Sequence, residues 1–425
     1  MAEIAPFRGI RYNLEAISLE DVTSPPYDVI SPADNEYFHK RHPKNVVRLI
    51  LGKESPDDSP SDNRFTRAAA YLQEWLAEGT LKRDDEPAFY AYEQHYDLCG
   101  QPKTVRGLIA LVKLHEYADG VVLPHEDTLA RPKSDLARLI RQTKANLDTV
   151  YALYPDADHI VDGVLDRTAS TPPAAKAGDR DGVRHRLWMI RSQSDIDLIT
   201  RALASKQIVI ADGHHRYETA LAYRREMRER EGDPDGARPY DYVMMTLVNV
   251  YTPDVAVLPT HRLARGLQQE ALDGLEASLG EHFELVESSS QRLGSDMEAH
   301  DGRAIGIYRP GRACLAIVRR DTTGLIPAPP AVQNLDVLIL HHLILHRILG
   351  IDAERLRQEA NVGYTRDERE AIRAVDRGEF QIAFLLSPIK LEAMLEAARA
   401  GYKMPQKATY FYPKLLSGLV MRKIE

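Results

Sequence analysis

The sequence predicts an α/β protein in which helices accompany a mixed sheet, and three observations carry that expectation. Short β-branched apolar runs recur, as at 208–211 and 242–251, with the length and composition of buried strands. Between them lie stretches with apolar residues at helical spacing, as at 65–77 and 217–224. The chain has 425 residues, of which 44% are apolar, enough for two or three domains with proper cores.

Composition narrows the function. Lys+Arg total 55 against 63 Asp+Glu, a net charge of −8, the opposite of the basic footprint of non-specific DNA binding, so no nucleic-acid partner is expected. No apolar run has the length of a membrane span, and the first residues lack the charged-then-apolar layout of a secretion signal. A cytoplasmic protein without a membrane partner is therefore expected. Cys99 and Cys314 stand outside any paired motif, so neither a disulfide framework nor a cysteine zinc site is implied.

Taken in order, the chain opens with Tyr27 and Asp28 after Pro25 and Pro26, whose rings force an extended entry. Asp28 or Ser31 is expected to cap a helix starting after Pro32. Residues 46–51 read as a strand, 65–77 as a helix, and 89–96 with 104–114 as a hairpin turning near Cys99. A His125-Glu126 pair precedes a helix spanning about 134–145. Residues 170–182 read as a loop and 186–191 as a strand. Near the end of the central stretch, His261 and Arg262 fall in a loop, where such side chains are ordinarily solvated. The apolar segment 335–349 reads as a buried core helix, although two of its histidines, His342 and His346, have the spacing of a metal-binding pair. The dense polar and aromatic ending, 404–418, is expected to be tied down, unlike most termini.

The central stretch is Ile208-Val-Ile-Ala-Asp212-Gly213-His214-His215-Arg216-Tyr217. A strand that stops at Asp-Gly and re-forms as a helix leaves the first helical N–H groups unpaired, which makes an anion site. Gly213 lets backbone approach a phosphate, Arg216 can bind it bidentately, and Asp212, His214 and His215 supply proton-transfer or metal-binding groups. A plain strand-to-helix turn capped by Asp212, with surface histidines, is the alternative.

This stretch resembles the nucleotide box of the ParB/sulfiredoxin superfamily, in which Gly-x-x-Arg opens a helix under the phosphates. Its members include CTP-binding partition proteins, sulfiredoxins and kinases of free serine. His214 stands where sulfiredoxins carry their reactive cysteine, so sulfiredoxin chemistry is not implied. The helix-turn-helix that follows the box in partition proteins is not visible in this sequence. Leu123-Pro-His-Glu126 is similar to the element that supplies the catalytic base in the free-serine kinases. Together with Ser24-Pro-Pro-Tyr-Asp-Val-Ile, Leu258-Pro-Thr-His-Arg262 and the Met404-Pro-Gln-Lys407 ending, the pattern resembles an uncharacterised family of bacterial and archaeal proteins over essentially the full length.

The resemblance implies a ParB/sulfiredoxin-like central unit at 101–265, an N-terminal α/β segment with a hairpin at 1–100, and a C-terminal α/β segment at 266–425. It implies ATP or ADP with Mg²⁺, and phosphoryl transfer to a small hydroxyl metabolite such as free serine. Gly213, His214, His215, Arg216 and His125 would hold the nucleotide. Glu126, Asp212 and His215 would be catalytic, and Tyr27, Arg262 and Lys407 would meet the substrate. A homodimer is compatible with this reading. Two others stay open: a nucleotide-gated switch or ParB-like regulatory module, and a metal-dependent phosphohydrolase using His125, Glu126, Asp212, His214 and His215.

Overall fold

A computed structural model describes residues 2–128, 130–300, 303–319, 324–330, 332–352, 355–356 and 361–425. The chain divides into two compact units. The first contains Met1–Pro124, Thr128–Val255 and Pro413–Glu425, and the second His125–Asp127 and Ala256–Tyr412. The three consecutive segments read from the sequence are distributed over these two units.

The first unit is built on a nine-stranded sheet. In chain order its strands are β1 (Ile4–Ala5), β2 (Phe89–Leu98), β3 (Gln101–Lys113), β4 (Val122–Leu123), β5 (Val150–Tyr154), β6 (Ala175–Gly178), β7 (Arg184–Ile190), β8 (Ile208–Asp212) and β9 (Tyr242–Asn249). They lie side by side as β4-β8-β5-β9-β3-β2-β7-β6, with β1 paired to β3 off this path. The pairs β8–β4 and β9–β5 are parallel and the others antiparallel, so the sheet is mixed, as expected. β2 and β3 form the expected hairpin, turning through Cys99 and Gly100, both at positive φ. The apolar strands β5, β8 and β9 are buried along nearly their whole length, in a core that includes Tyr154, Ile199, Ile210, Tyr217 and Leu247.

The helices around this sheet include α1 (Pro32–Arg41), α2 (Val47–Ile50), α3 (Arg64–Ala77), α4 (Ala130–Thr143) and α5 (His214–Glu231). Ser31 caps α1 with a capping box, one of the two caps expected. Residues 46–51 are not the expected strand but the short helix α2. The Asn45 side chain accepts the Val47 N–H at 2.9 Å and donates to the Asp21 and Thr23 carbonyls, which pins a helical turn that apolar run length alone could not announce. The stretch 170–182 is not all loop, because β6 adds an edge strand; its Ala-Lys-Ala-Gly sequence lacks the β-branched residues that mark strands.

The second unit carries a six-stranded sheet, antiparallel throughout, that includes the strand His261–Ala264. Its core contains Leu263, Leu293, Leu315, Val375 and Leu385. A two-stranded ribbon pairs Ala256–Leu258 with Tyr410–Tyr412. His261 and Arg262 are buried in their strand and not solvated in a loop, with Arg262 at 0% exposure. The segment 335–349 is helical, α through Ile339 and then a π-helix from Leu340 to Ile348. Burial pushes the His341 imidazole well below its ordinary range, as suits a neutral core residue. Among the described residues no helix is long and apolar enough to cross a membrane.

Candidate functional site

The site is assembled where β8 gives way to α5. The register of β8 against β5 shifts between Ile210 and Asp212, a bulge that breaks the side-chain alternation just before the turn. Gly213 follows at φ +89°, a left-handed conformation that favours glycine. A Cβ at this position would lie 2.8 Å from Arg216 Nε and 2.9 Å from its Nη2, so only a glycine lets the guanidinium close over the turn. α5 begins at once with no side-chain cap, and its first N–H groups have no acceptor within the helix.

Because β8 and β5 run antiparallel, the end of one lies beside the start of the other. That brings Asp148 and Thr149 to the turn. Arg216 Nη1 donates to the Thr149 carbonyl at 2.5 Å and Nη2 to Asp212 Oδ2 at 3.3 Å. Lys414, from the C-terminal segment, places Nζ 3.4 Å from Asp212 Oδ1. The Arg216 and Lys414 side chains are only 10% and 12% exposed, so these ion pairs escape most of the solvent screening that weakens surface pairs. Arg216 Nε is buried and has no hydrogen-bond partner among the described residues.

The charges are tuned by this crowding. Burial works to raise the Asp212 carboxyl, but Lys414, Arg216 and His214 outweigh it and hold it below its ordinary value. Burial also works against the Arg216 charge; here Asp212, Asp148 and Asp28 prevail and raise it. At Asp148 burial wins over the attraction of Arg216 and pushes the carboxyl up. His215 is pushed down by burial, against the pull of Glu218 and Asp28, and so is neutral at pH 7. Tyr27 opens a 3-10 turn, half-buried, with its phenol pushed up by burial.

Of the residues expected at the site, Asp212, Gly213, His214, His215, Arg216 and Tyr27 belong to this first unit, whereas His125, Glu126, Arg262 and Lys407 belong to the second. There His125 is fully buried, with Nε2 2.8 Å from Thr409 Oγ1 and its carbonyl accepting the Met404 N–H at 2.8 Å. Glu126 Oε1 accepts the Lys407 N–H at 2.6 Å. Arg262 donates to the Thr260 and Lys407 carbonyls, and Lys407 Nζ lies 4.4 Å from the centre of the Tyr364 ring. Glu126, Arg262 and Lys407 thus form one polar cluster around the 404–410 segment.

Asp148 is absent from the residues expected at the site. Its signal in the sequence is weak, a carboxylate two positions before the fully apolar strand β5. Phosphate suits the cradle that Gly213 and Arg216 form, since its oxygens can accept from Arg216 Nε and the helix N–H groups. For a divalent metal the fit is different: among the described residues no three His, Cys, Asp or Glu side chains gather as a cage.

The chain is similar to several solved structures, all at low identity. One is a free serine kinase variant in complex with AMP, 13% identical, covering 68% of this chain and 84% of that one, with a TM-score of 0.36. Another is a conserved hypothetical protein from Pyrococcus furiosus, 14% identical, covering 69% and 89%, with a TM-score of 0.34. A third is SbnI with a C-terminal truncation from Staphylococcus aureus, 10% identical, covering 73% and 85%, with a TM-score of 0.37. No curated protein matches the chain. Residues 4–338, which contain the Tyr27, Glu126, Gly213 and Arg262 motifs, match a family pattern, and the chain belongs to that family, described as protein of unknown function (DUF1015).

Proposed function

We propose that this protein is a nucleotide-dependent phosphotransferase acting on a small hydroxyl-bearing metabolite, with free serine or a close relative as the acceptor class. The observation that carries the reading is the buried Arg216 Nε–H. It lacks a partner among the described residues, beside a left-handed glycine at the start of α5. Leaving such a donor unpaired costs about 1–3 kcal/mol, and a phosphate oxygen removes that cost.

Phosphoryl transfer needs positioned donors, positive charge on the moving group and a base for the hydroxyl proton. The N–H groups of α5 and the Arg216 guanidinium supply the first two. Asp212 orients the guanidinium at 3.3 Å, and Lys414, paired to Asp212 at 3.4 Å, adds positive charge. Asp212 is held too acidic by its cationic neighbours to be an effective base. The ground for giving the hydroxyl proton to Glu126 is its Leu123-Pro-His-Glu126 motif, and neutral His215 would stabilise the charge that develops. Magnesium, when bound with the nucleotide, would add positive charge on the phosphates, held by them and by few protein ligands.

The test incubates the full chain with ATP or ADP, Mg²⁺ and a panel of hydroxyl amino acids, and follows phosphorylated product by ³¹P NMR. Product from the native chain, with nucleotide affinity reduced by about 2 kcal/mol or more in Arg216→Ala, supports the reading. A nucleotide that raises the Tm without any product would replace it with the switch.

A further inference from the structure

Two cavities of the first unit adjoin, and the smaller one reaches the cradle at Arg216. The larger, of about 160 Å³, is walled by Leu49, Leu51, Phe65 and Leu136, with the Arg64 and Asp135 side chains also on its lining. These two form an ion pair at 2.7 Å. The smaller, of about 60 Å³, shares Tyr27, Ile50, Leu136 and Leu139 with the first and extends to Asp148, Arg216 and Thr219.

We propose that this two-part cavity is a nucleoside subsite, with the ribose beside Asp148 and Thr219 and the base between the apolar walls. The inference rests on the phosphotransferase reading of the cradle and deepens it. Continuity is the first support, because Arg216, which closes on Gly213, also lines the smaller cavity. The second is a pair of orphaned polar atoms: Arg216 Nε and Thr219 Oγ1 are both buried without a partner among the described residues. A ligand that carries acceptors and hydroxyls into that end satisfies both.

The third support is the order of chemistry along the cavity. Next to Arg216 stands the carboxylate of Asp148, an acceptor for sugar hydroxyls of the kind that nucleotide sites use. Beyond it the lining is leucine, isoleucine and phenylalanine, which suits the two faces of a heterocycle. At the far part, Arg64 and Asp135 offer a donor and an acceptor to the edge of a base. A free hydroxyl amino acid would leave these apolar walls uncovered, so the acceptor does not account for them.

The test is titration calorimetry of the full chain with ATP and with inorganic tripolyphosphate. The native chain should bind ATP tighter by about tenfold or more. Leu139→Trp, which fills the wall shared by both cavities, should bring ATP down to the tripolyphosphate level and leave tripolyphosphate binding unchanged. That unchanged binding also reports that the variant folds. If tripolyphosphate binding is lost too, crystals of the native chain soaked with 8-bromo-ADP decide: the bromine peak should fall among Leu49, Phe65 and Leu139. Equal ATP affinity in a folded Leu139→Trp, no preference of the native chain for ATP, or a bromine peak elsewhere each overturns the subsite alone. Native protein that binds neither ATP nor tripolyphosphate overturns the phosphate cradle itself.

Discussion

Lys414 sets its ammonium 3.4 Å from the Asp212 carboxylate, tying the C-terminal segment to the end of the strand that carries the Gly213 turn. The segment is held there by backbone: Gln94 Nε2 donates to the Lys414 carbonyl at 2.9 Å, the Leu416 N–H to Tyr92 Oη at 3.2 Å, and the Ser417 N–H to the Ser24 carbonyl at 2.9 Å. Removing the Lys414 cation from a mostly buried carboxylate weakens the ionised form.

Lys414→Met should therefore raise the Asp212 pKa and lower nucleotide affinity. The folded-state pKa of Asp212 is depressed, so its stabilising contribution is present above the unfolded value, about 4, and is lost as pH falls through the folded one. In acid titrations followed by circular dichroism, the variant should unfold at a higher pH than the native chain. An unchanged acid midpoint would mean that Lys414 does little for Asp212.

Gly213→Ala should cost stability and binding together. The left-handed φ of +89° strains an L residue by about 1–3 kcal/mol, and the new methyl would press on Arg216 Nε from 2.8 Å. The expected outcome is a Tm lower by several degrees with nucleotide affinity lost. Native affinity in this variant would show that Arg216 does not need its seat on the turn.

Glu126→Gln should separate binding from turnover. The amide oxygen of Gln can still accept the Lys407 N–H that Glu126 now takes at 2.6 Å, so the local fold survives. Steady-state kinetics should show product formation falling by about 10²–10⁴-fold with nucleotide affinity kept. Equal loss of both would make Glu126 a positioning residue and move the proton elsewhere.

Asp336→Asn should change the pH dependence of stability. Burial pushes this carboxyl up to about 6, against the Ser387 N–H that it accepts at 2.9 Å. Between the unfolded value, about 4, and about 6, the folded chain holds a proton that the unfolded chain has lost. Native stability therefore falls as pH rises through that window. The variant should lack this fall, on the order of 2 kcal/mol, in urea unfolding at pH 4 and pH 7. Parallel profiles for the two proteins would refute the assignment.

The features legible in the sequence are those with local causes. Alternation predicts the β2–β3 hairpin because a strand presents alternate residues to opposite faces. Asp212-Gly213 marks the end of β8 because only glycine takes the left-handed turn without strain, and the helical spacing after it continues to Glu231. Where the local signal was ambiguous, packing decided: Asn45 turned 46–51 into a helix, and pairing with β7 turned Ala175–Gly178 into a strand. Arg262 reads as a solvated loop residue because nothing near it in sequence reveals that the distant Lys407 carbonyl receives its guanidinium.

By itself, then, the sequence determined a mixed α/β chain with an anion-ready strand-to-helix turn, since periodicity and a single glycine act over a few residues. Only the tertiary structure decided that Asp148, Tyr27 and Lys414 gather at Arg216, and that Glu126 keeps company with Lys407 in the second unit. Those groupings follow from strand order and from the path of the C-terminal segment, and hydrophobic period says which face of an element is buried but not which distant residue will cover it.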